Sequence, residues 1–133
     1  MRFMAIIKAT KDYEAGRPPN PELMAAMGKL AQEEQKLGIF EMGGGLRPSA
    51  QGHRLSMTGG KVTVTDGPFT ETKEVIGGFA ILNYASHDEA IAGARRVMRI
   101  HAECGVTELE IELRPMMDDP GCGAQMPQQA SAA

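Results

Sequence analysis

The spacing of apolar residues divides the chain into short segments with different periods. Arg2 to Ala9 (RFMAIIKA) is apolar in both alternating sets, Phe3/Ala5/Ile7 and Met4/Ile6, which predicts a strand buried on both faces. A polar stretch from Thr10 to Arg17 predicts a loop, ending in Pro18-Pro19-Asn20-Pro21. Asn20 suits an N-cap and Pro21 a first helical position. Leu23, Met27, Leu30 and Leu37 then recur at helical spacing, with Met24 and Ala31 beside them, and Lys29, Gln32, Glu33 and Lys36 opposite. Gly38 is the expected C′ residue.

Ile39 to Leu46 (IFEMGGGL) reads as a strand weakened by three glycines, and Pro48 to His53 as a loop. Arg54–Thr58 and Lys61–Thr65 flank Gly59-Gly60, a hairpin turn pattern. Val75 to Tyr84 (VIGGFAILNY) is apolar on both faces and predicts a central strand. Ser86 and Glu89 form a capping-box pattern at the start of a second helix, with Ala90, Ile91, Ala94, Val97, Met98 and His101 near one stripe. Thr107 to Arg114 alternates, Leu109, Ile111 and Leu113 against Glu108, Glu110 and Glu112, as an edge strand or one with a wet face does. Residues 1–117 are therefore expected to form one domain, and the Gly-, Pro- and Gln-rich stretch 118–133 a disordered tail.

The order β-α-β, hairpin, β-α-β predicts an α+β fold of ferredoxin-like plan: two helices on one face of an antiparallel sheet, with an inserted hairpin. Two helices cover one face only, yet two strands are apolar on both. A second copy packed sheet to sheet is the simplest cover, so a homodimer is expected.

Composition narrows the function. The 133 residues carry a formal charge of −3 and only 5% aromatic residues, which argues against nucleic acid as a partner. The ten methionines read as core filling. The apolar run Phe3–Ile7 is too short for a signal-peptide core or a membrane helix. Cys104 and Cys122 form no disulfide framework, so a cytoplasmic protein without a membrane partner is expected.

Candidate chemistry gathers at Val62–Glu74, VTVTDGPFTETKE, where a strand breaks at Asp66-Gly67-Pro68. Asp66 could act as a general base, its carboxylate partly desolvated in a dimer cleft, or serve as an Asx-turn residue bonding local amides. Gly67 and Pro68 set the turn, with Gly allowing positive φ. Phe69 walls a pocket or anchors the loop. Glu71, Lys73 and Glu74 line a polar cleft or stand in solvent as weak ion pairs. Arg47 and Lys8, near strand ends, are possible ligand contacts or plain surface residues. His53, His87 and His101 lack metal-ligand spacing, and no metal or cofactor is expected. Of the three, His53 is the one worth testing for catalysis. Cys104 at a helix C-terminus lacks the dipole that would favour a thiolate. Gly43-Gly44-Gly45 lacks the spacing of a phosphate loop and suits a bulge or close backbone approach.

The motif TVTDGPFTETKE resembles the signature of YCII-related proteins of the DGPF type. MRFMAIIKAT, LGIF, GGGLRPS, GGKVTVTDGPFTETKE, IGGFAI and EIELRP extend the resemblance over roughly residues 1–115. It implies a dimeric α/β barrel of two ferredoxin-like protomers, and a site at Asp66, Gly67, Pro68, Phe69, Glu71, Lys73 and Glu74. Relatives with a proposed His–Asp pair in a cleft imply an enzyme acting on a small molecule. Members encoded beside extracytoplasmic-function sigma factors imply instead a non-catalytic regulatory or accessory module. The motif itself carries no histidine.

Overall fold

The structure, a computed structural model, describes residues 1–69 and 74–117. The expectations for Glu71, Lys73, Cys122 and the tail 118–133 fall outside the described residues. The elements are β1 (Arg2–Lys8), α1 (Lys11–Glu14), α2 (Pro21–Lys36), β2 (Phe40–Gly45), a 3-10 turn (Ser49–Gln51), β3 (His53–Thr58), β4 (Lys61–Asp66), β5 (Ile76–Asn83), α3 (His87–Glu103) and β6 (Ile111–Pro115). Four strands form an antiparallel sheet in the order β2-β5-β1-β6, and β3-β4 form a separate two-stranded sheet. The central strands are β1 and β5, the two segments that are apolar on both faces. The order fits a βαββαβ plan with a hairpin inserted between its second and third strands. The sheet is open: the described chain closes no barrel.

Local signals explain the ends of the long helices. Asn20 Oδ1 accepts the Glu22 amide at 2.8 Å, and Pro21 opens α2. Gly38, with φ +76°, lets the chain leave the helix. Ser86 Oγ accepts the Glu89 amide at 3.2 Å, and the Glu89 carboxylate accepts the Ala85 amide at 3.1 Å. The capping pair is thus real, shifted by one amide from the box.

Three expectations change. The stretch after Ala9 is not all loop: Thr10 Oγ1 accepts the Tyr13 amide at 3.1 Å and caps the short α1. His53 is not in a loop but opens β3. The last strand starts at Ile111 rather than Thr107 and pairs only with β1, as an edge strand does.

Helices α2 and α3 cover one face of the sheet. Phe3, Ala5, Leu82, Tyr84 and Ala90 form its core, with Phe40, Ala80, Ile111 and Leu113 against them. Phe3, 1% exposed, sits edge-on to both Tyr84 and His87, and its burial stabilises by about 2–3 kcal/mol. Alternation puts Met4, Ile6, Phe79 and Ile81 on the opposite face. There Ile81 is buried and the other three are half-buried. The exposed apolar surface lies more in the hairpin, where Leu55, Met57, Val62 and Val64 are 66%, 70%, 53% and 59% exposed.

Candidate functional site

The hairpin is closed by Gly59 and Gly60, with φ of +58° and +80°, the backbone that a two-residue I′ turn demands. That turn sets the register: Thr58 opposes Lys61, and counting back, His53 opposes Asp66. His53 Nδ1 lies 2.8 Å from Asp66 Oδ1. With Nδ1–H donated to the carboxylate, Nε2 is left as the acceptor, the tautomer a general base needs. Both side chains are open, at 64% and 80% exposure, so the desolvation expected for Asp66 is absent from the single protomer. The same alternation aligns His53 with Leu55 and Met57, and Asp66 with Val64 and Val62. The pair therefore forms the end of the hairpin's apolar face.

Past Asp66 the chain is tied to the loop before β3. The Gly67 amide donates to the Gly52 carbonyl at 3.0 Å, extending the ladder by one bond. The Gly67–Pro68 peptide is cis. Gly67 does not have positive φ, contrary to the expectation from its place in the motif. Its need for glycine is steric, because a Cβ there would stand 1.7 Å from the Ser49 carbonyl oxygen. Ser49 is the knot. Its amide and hydroxyl donate to the two Glu14 carboxylate oxygens at 2.7 and 2.5 Å, and its Oγ accepts the Phe69 amide at 3.1 Å. The Tyr13 hydroxyl donates to the Leu46 carbonyl, so α1 braces the same loop.

Between these loops and the start of β5 lies a cleft of about 390 Å³. Arg47, His53, Arg54, Phe69 and Glu74 line it, with Leu46, Val75 and Ile76 as apolar wall. Four of the residues singled out in the sequence thus meet in one place: Arg47, His53, Phe69 and Glu74. Asp66 is not among the lining residues and reaches the cleft through His53. The Glu74 carboxylate stands 4.0 Å from Lys8 Nζ, which also meets Glu112 at 3.6 Å. Lys8 is thus engaged by two carboxylates, and it is not among the lining residues. Sequence reasoning missed Arg54, whose guanidinium stacks over the Phe69 ring at 4.1 Å. It also missed Ser49, which lines the cleft, and Glu14, which holds Ser49 in place from outside the lining.

The remaining candidates lie elsewhere. His87 packs on Phe3, and His101 Nδ1 is 2.8 Å from the Val97 carbonyl oxygen within its own helix. The Cys104 thiol pKa is pushed up, first by desolvation and then by the Glu22 and Glu103 carboxylates, the reverse of thiolate activation. Gly43 faces the β5 backbone, where a Cβ would lie 2.7 Å from the Phe79 carbonyl oxygen, beside a bulge at Phe40/Met42. Among the described residues no group of three or more His, Cys, Asp or Glu could hold a metal ion, and no helix is long and apolar enough to cross a membrane.

One buried polar cluster stands apart from the cleft. Glu34, 6% exposed, accepts the Tyr84 hydroxyl at 3.2 Å, with Arg96 Nη1 at 3.9 Å. Burial pushes the Glu34 pKa up, partly opposed by Tyr84 and Arg96, and pushes Tyr84 up to about 12. The cluster borders a core cavity of about 70 Å³ whose other walls are apolar.

The chain is similar to known proteins over most of its length. An uncharacterised protein of Rhizobium meliloti (strain 1021) is 37% identical over 93 residues, or 70% of this chain and 69% of the relative. The YCII-related domain matches residues 1–113, which takes in every element from β1 into β6 and the whole cleft. The chain belongs to the YCII-related domain family.

Proposed function

We propose that this chain is a small-molecule cleft protein of enzyme-like type, in which His53 exchanges a proton with the ligand and Asp66 orients and charges His53. The observation that carries this reading is the 2.8 Å contact between His53 Nδ1 and Asp66 Oδ1 at the edge of the cleft. A positioned histidine of this kind contributes about 10²- to 10⁴-fold to a proton-transfer step. The working form is a homodimer of ferredoxin-like protomers of the DGPF type. A partner seated on Leu55, Met57, Val62 and Val64 also shields the dyad at the end of the same face. Shielding strengthens the charge interaction between Asp66 and a protonated His53.

The test is a thermal-shift screen of small metabolites on wild type, Asp66→Asn and His53→Gln. Asn at 66 keeps an acceptor for Nδ1–H and removes the charge. A compound that stabilises wild type and loses its effect in either variant supports the dyad. Compounds that stabilise all three proteins equally overturn it.

One observation favours a second reading. The hairpin's exposed apolar face is also a surface for a different protein, as in a non-catalytic accessory module of a sigma factor pathway. Capture of an extracytoplasmic-function sigma factor by wild type, lost on Leu55→Asp, supports that reading; a wild type that is dimeric through this same face leaves it no surface.

A further inference from the structure

We infer that Arg54 and Arg47 form a carboxylate clamp in the cleft, and that the ligand is a small carboxylic acid with an apolar body. The inference rests on reading this cleft as the ligand site. The Arg54 guanidinium carbon lies over the Phe69 ring, 4.1 Å from its centroid, a position in which the guanidinium can stack on the ring face. A stacked guanidinium keeps its N–H groups in the plane, directed outward, where they can grip two carboxylate oxygens side by side. The stack also fixes the fork before the ligand arrives, which lowers the ordering cost of binding.

The charges around it point the same way. Among the described residues no carboxylate comes within ion-pair distance of Arg54 or Arg47; Arg47 Nη1 meets only the Gln51 side-chain oxygen, at 3.4 Å. Glu74 is the sole carboxylate among the described lining residues, and it faces Lys8. Two arginines against one glutamate leave a formal charge of +1 on that lining, which suits a monoanion. Leu46, Val75, Ile76 and the Phe69 ring supply the apolar wall, and about 390 Å³ is room for a small organic acid. His53, at the neighbouring position of β3, is also on that lining.

Calorimetric titration with phenylacetate tests the clamp on wild type, Arg54→Gln, Arg54→Lys and His53→Gln. Phenylacetamide and phenyl phosphate are the comparison probes. Phenylacetate is expected to bind wild type, and about tenfold or more weaker to Arg54→Gln. Arg54→Lys is expected to be weakened as well, because an ammonium keeps the charge without the planar fork. Loss of binding in Arg54→Gln with full binding kept in His53→Gln would support the clamp and overturn the proton-transfer reading alone, so the two failures are distinguishable. The amide, which lacks the charge, should bind about tenfold or more weaker than the acid. No phenylacetate binding to wild type, equal binding of acid and amide, or equal binding to Arg54→Gln would each overturn the clamp. Tighter binding of the phosphate dianion would overturn the assignment to a carboxylate.

Discussion

Gly67 lies so close to Ser49 that a side chain at 67 would run into the Ser49 carbonyl, with a Cβ only 1.7 Å from that oxygen. The obstacle is backbone and cannot rotate away. Gly67→Ala is therefore expected to destabilise by roughly 1–3 kcal/mol, by pushing the motif off the 46–52 loop. Gly28, in the middle of α2, is open: a Cβ there would meet nothing within 4 Å, and Gly28→Ala should stabilise by roughly 0.5–1 kcal/mol. Thermal melts of the two variants give opposite signs if close approach, rather than glycine content, is what matters.

Ser49→Ala leaves the part-buried Phe69 amide and the Glu14 carboxylate short of partners. A loss of about 1–3 kcal/mol is expected. Ser49→Thr keeps the hydroxyl and should restore part of it. Denaturant unfolding of the pair separates the hydrogen bonds from the packing: equal losses in both variants would assign the effect to volume.

The His53–Asp66 pair is too exposed to contribute much stability, and Asp66→Asn should change it by less than about 1 kcal/mol. A structural Asx turn predicts a larger loss. Stability measured by urea denaturation, together with ligand binding, distinguishes the two roles for Asp66: little change in stability with loss of binding marks a functional carboxylate.

Burial raises the Glu34 pKa above its ordinary value of 4.5. Below that value the carboxyl is neutral in both the folded and the unfolded chain, and its burial carries no charge penalty. As pH rises through the raised folded value, the unfolded chain releases its proton more readily, and stability falls. Glu34→Gln should remove this slope, accept the Tyr84 hydroxyl through its amide oxygen, and gain on wild type as pH rises. Melting temperatures of both proteins from about pH 4 to pH 8 check it; parallel profiles would mean that Glu34 does not titrate abnormally.

In the proposed homodimer the hairpin face should carry the contact. Leu55→Asp with Val64→Asp is expected to leave a 14.3 kDa monomer in sedimentation velocity, against a dimeric wild type. Ile6→Asp, on the sheet face, should dissociate it less, because that face has less apolar surface left to cover. The reverse ranking would move the interface to the sheet.

Much of the fold is legible in the sequence because it depends on local chemistry. Asn20-Pro21 and Ser86 with Glu89 start the helices through side chains that reach neighbouring amides. Gly59-Gly60 turns the hairpin through its own φ angles. The doubly apolar β1 and β5 are the central strands, since a strand between two others has no edge to wet. The pattern misleads where a short polar side chain decides the matter, as Thr10 does in capping α1.

The site is legible in its members and not in its joining. Arg47, His53, Phe69 and Glu74 each stand out as residues, but the pattern around His53 suggests loop. Its pairing with Asp66 follows from the hairpin register, which one more residue on each strand, His53 before β3's expected start and Asp66 after β4's expected end, makes possible. Arg54 hides beside it, because a cation–ring stack between positions 54 and 69 leaves no periodic trace. Glu34 does carry a signal: it falls four residues after Leu30, on the buried stripe of α2.

Local order along this chain is written in its residues: helix caps, turn glycines and strand alternation act within a few positions and need no other part of the molecule. Meetings between distant positions are different. The fit of Gly67 under Ser49, the Arg54–Phe69 stack and the burial of Glu34 against Tyr84 arise only when elements pack, since steric contact, desolvation and charge proximity depend on distance in space and not on separation along the chain.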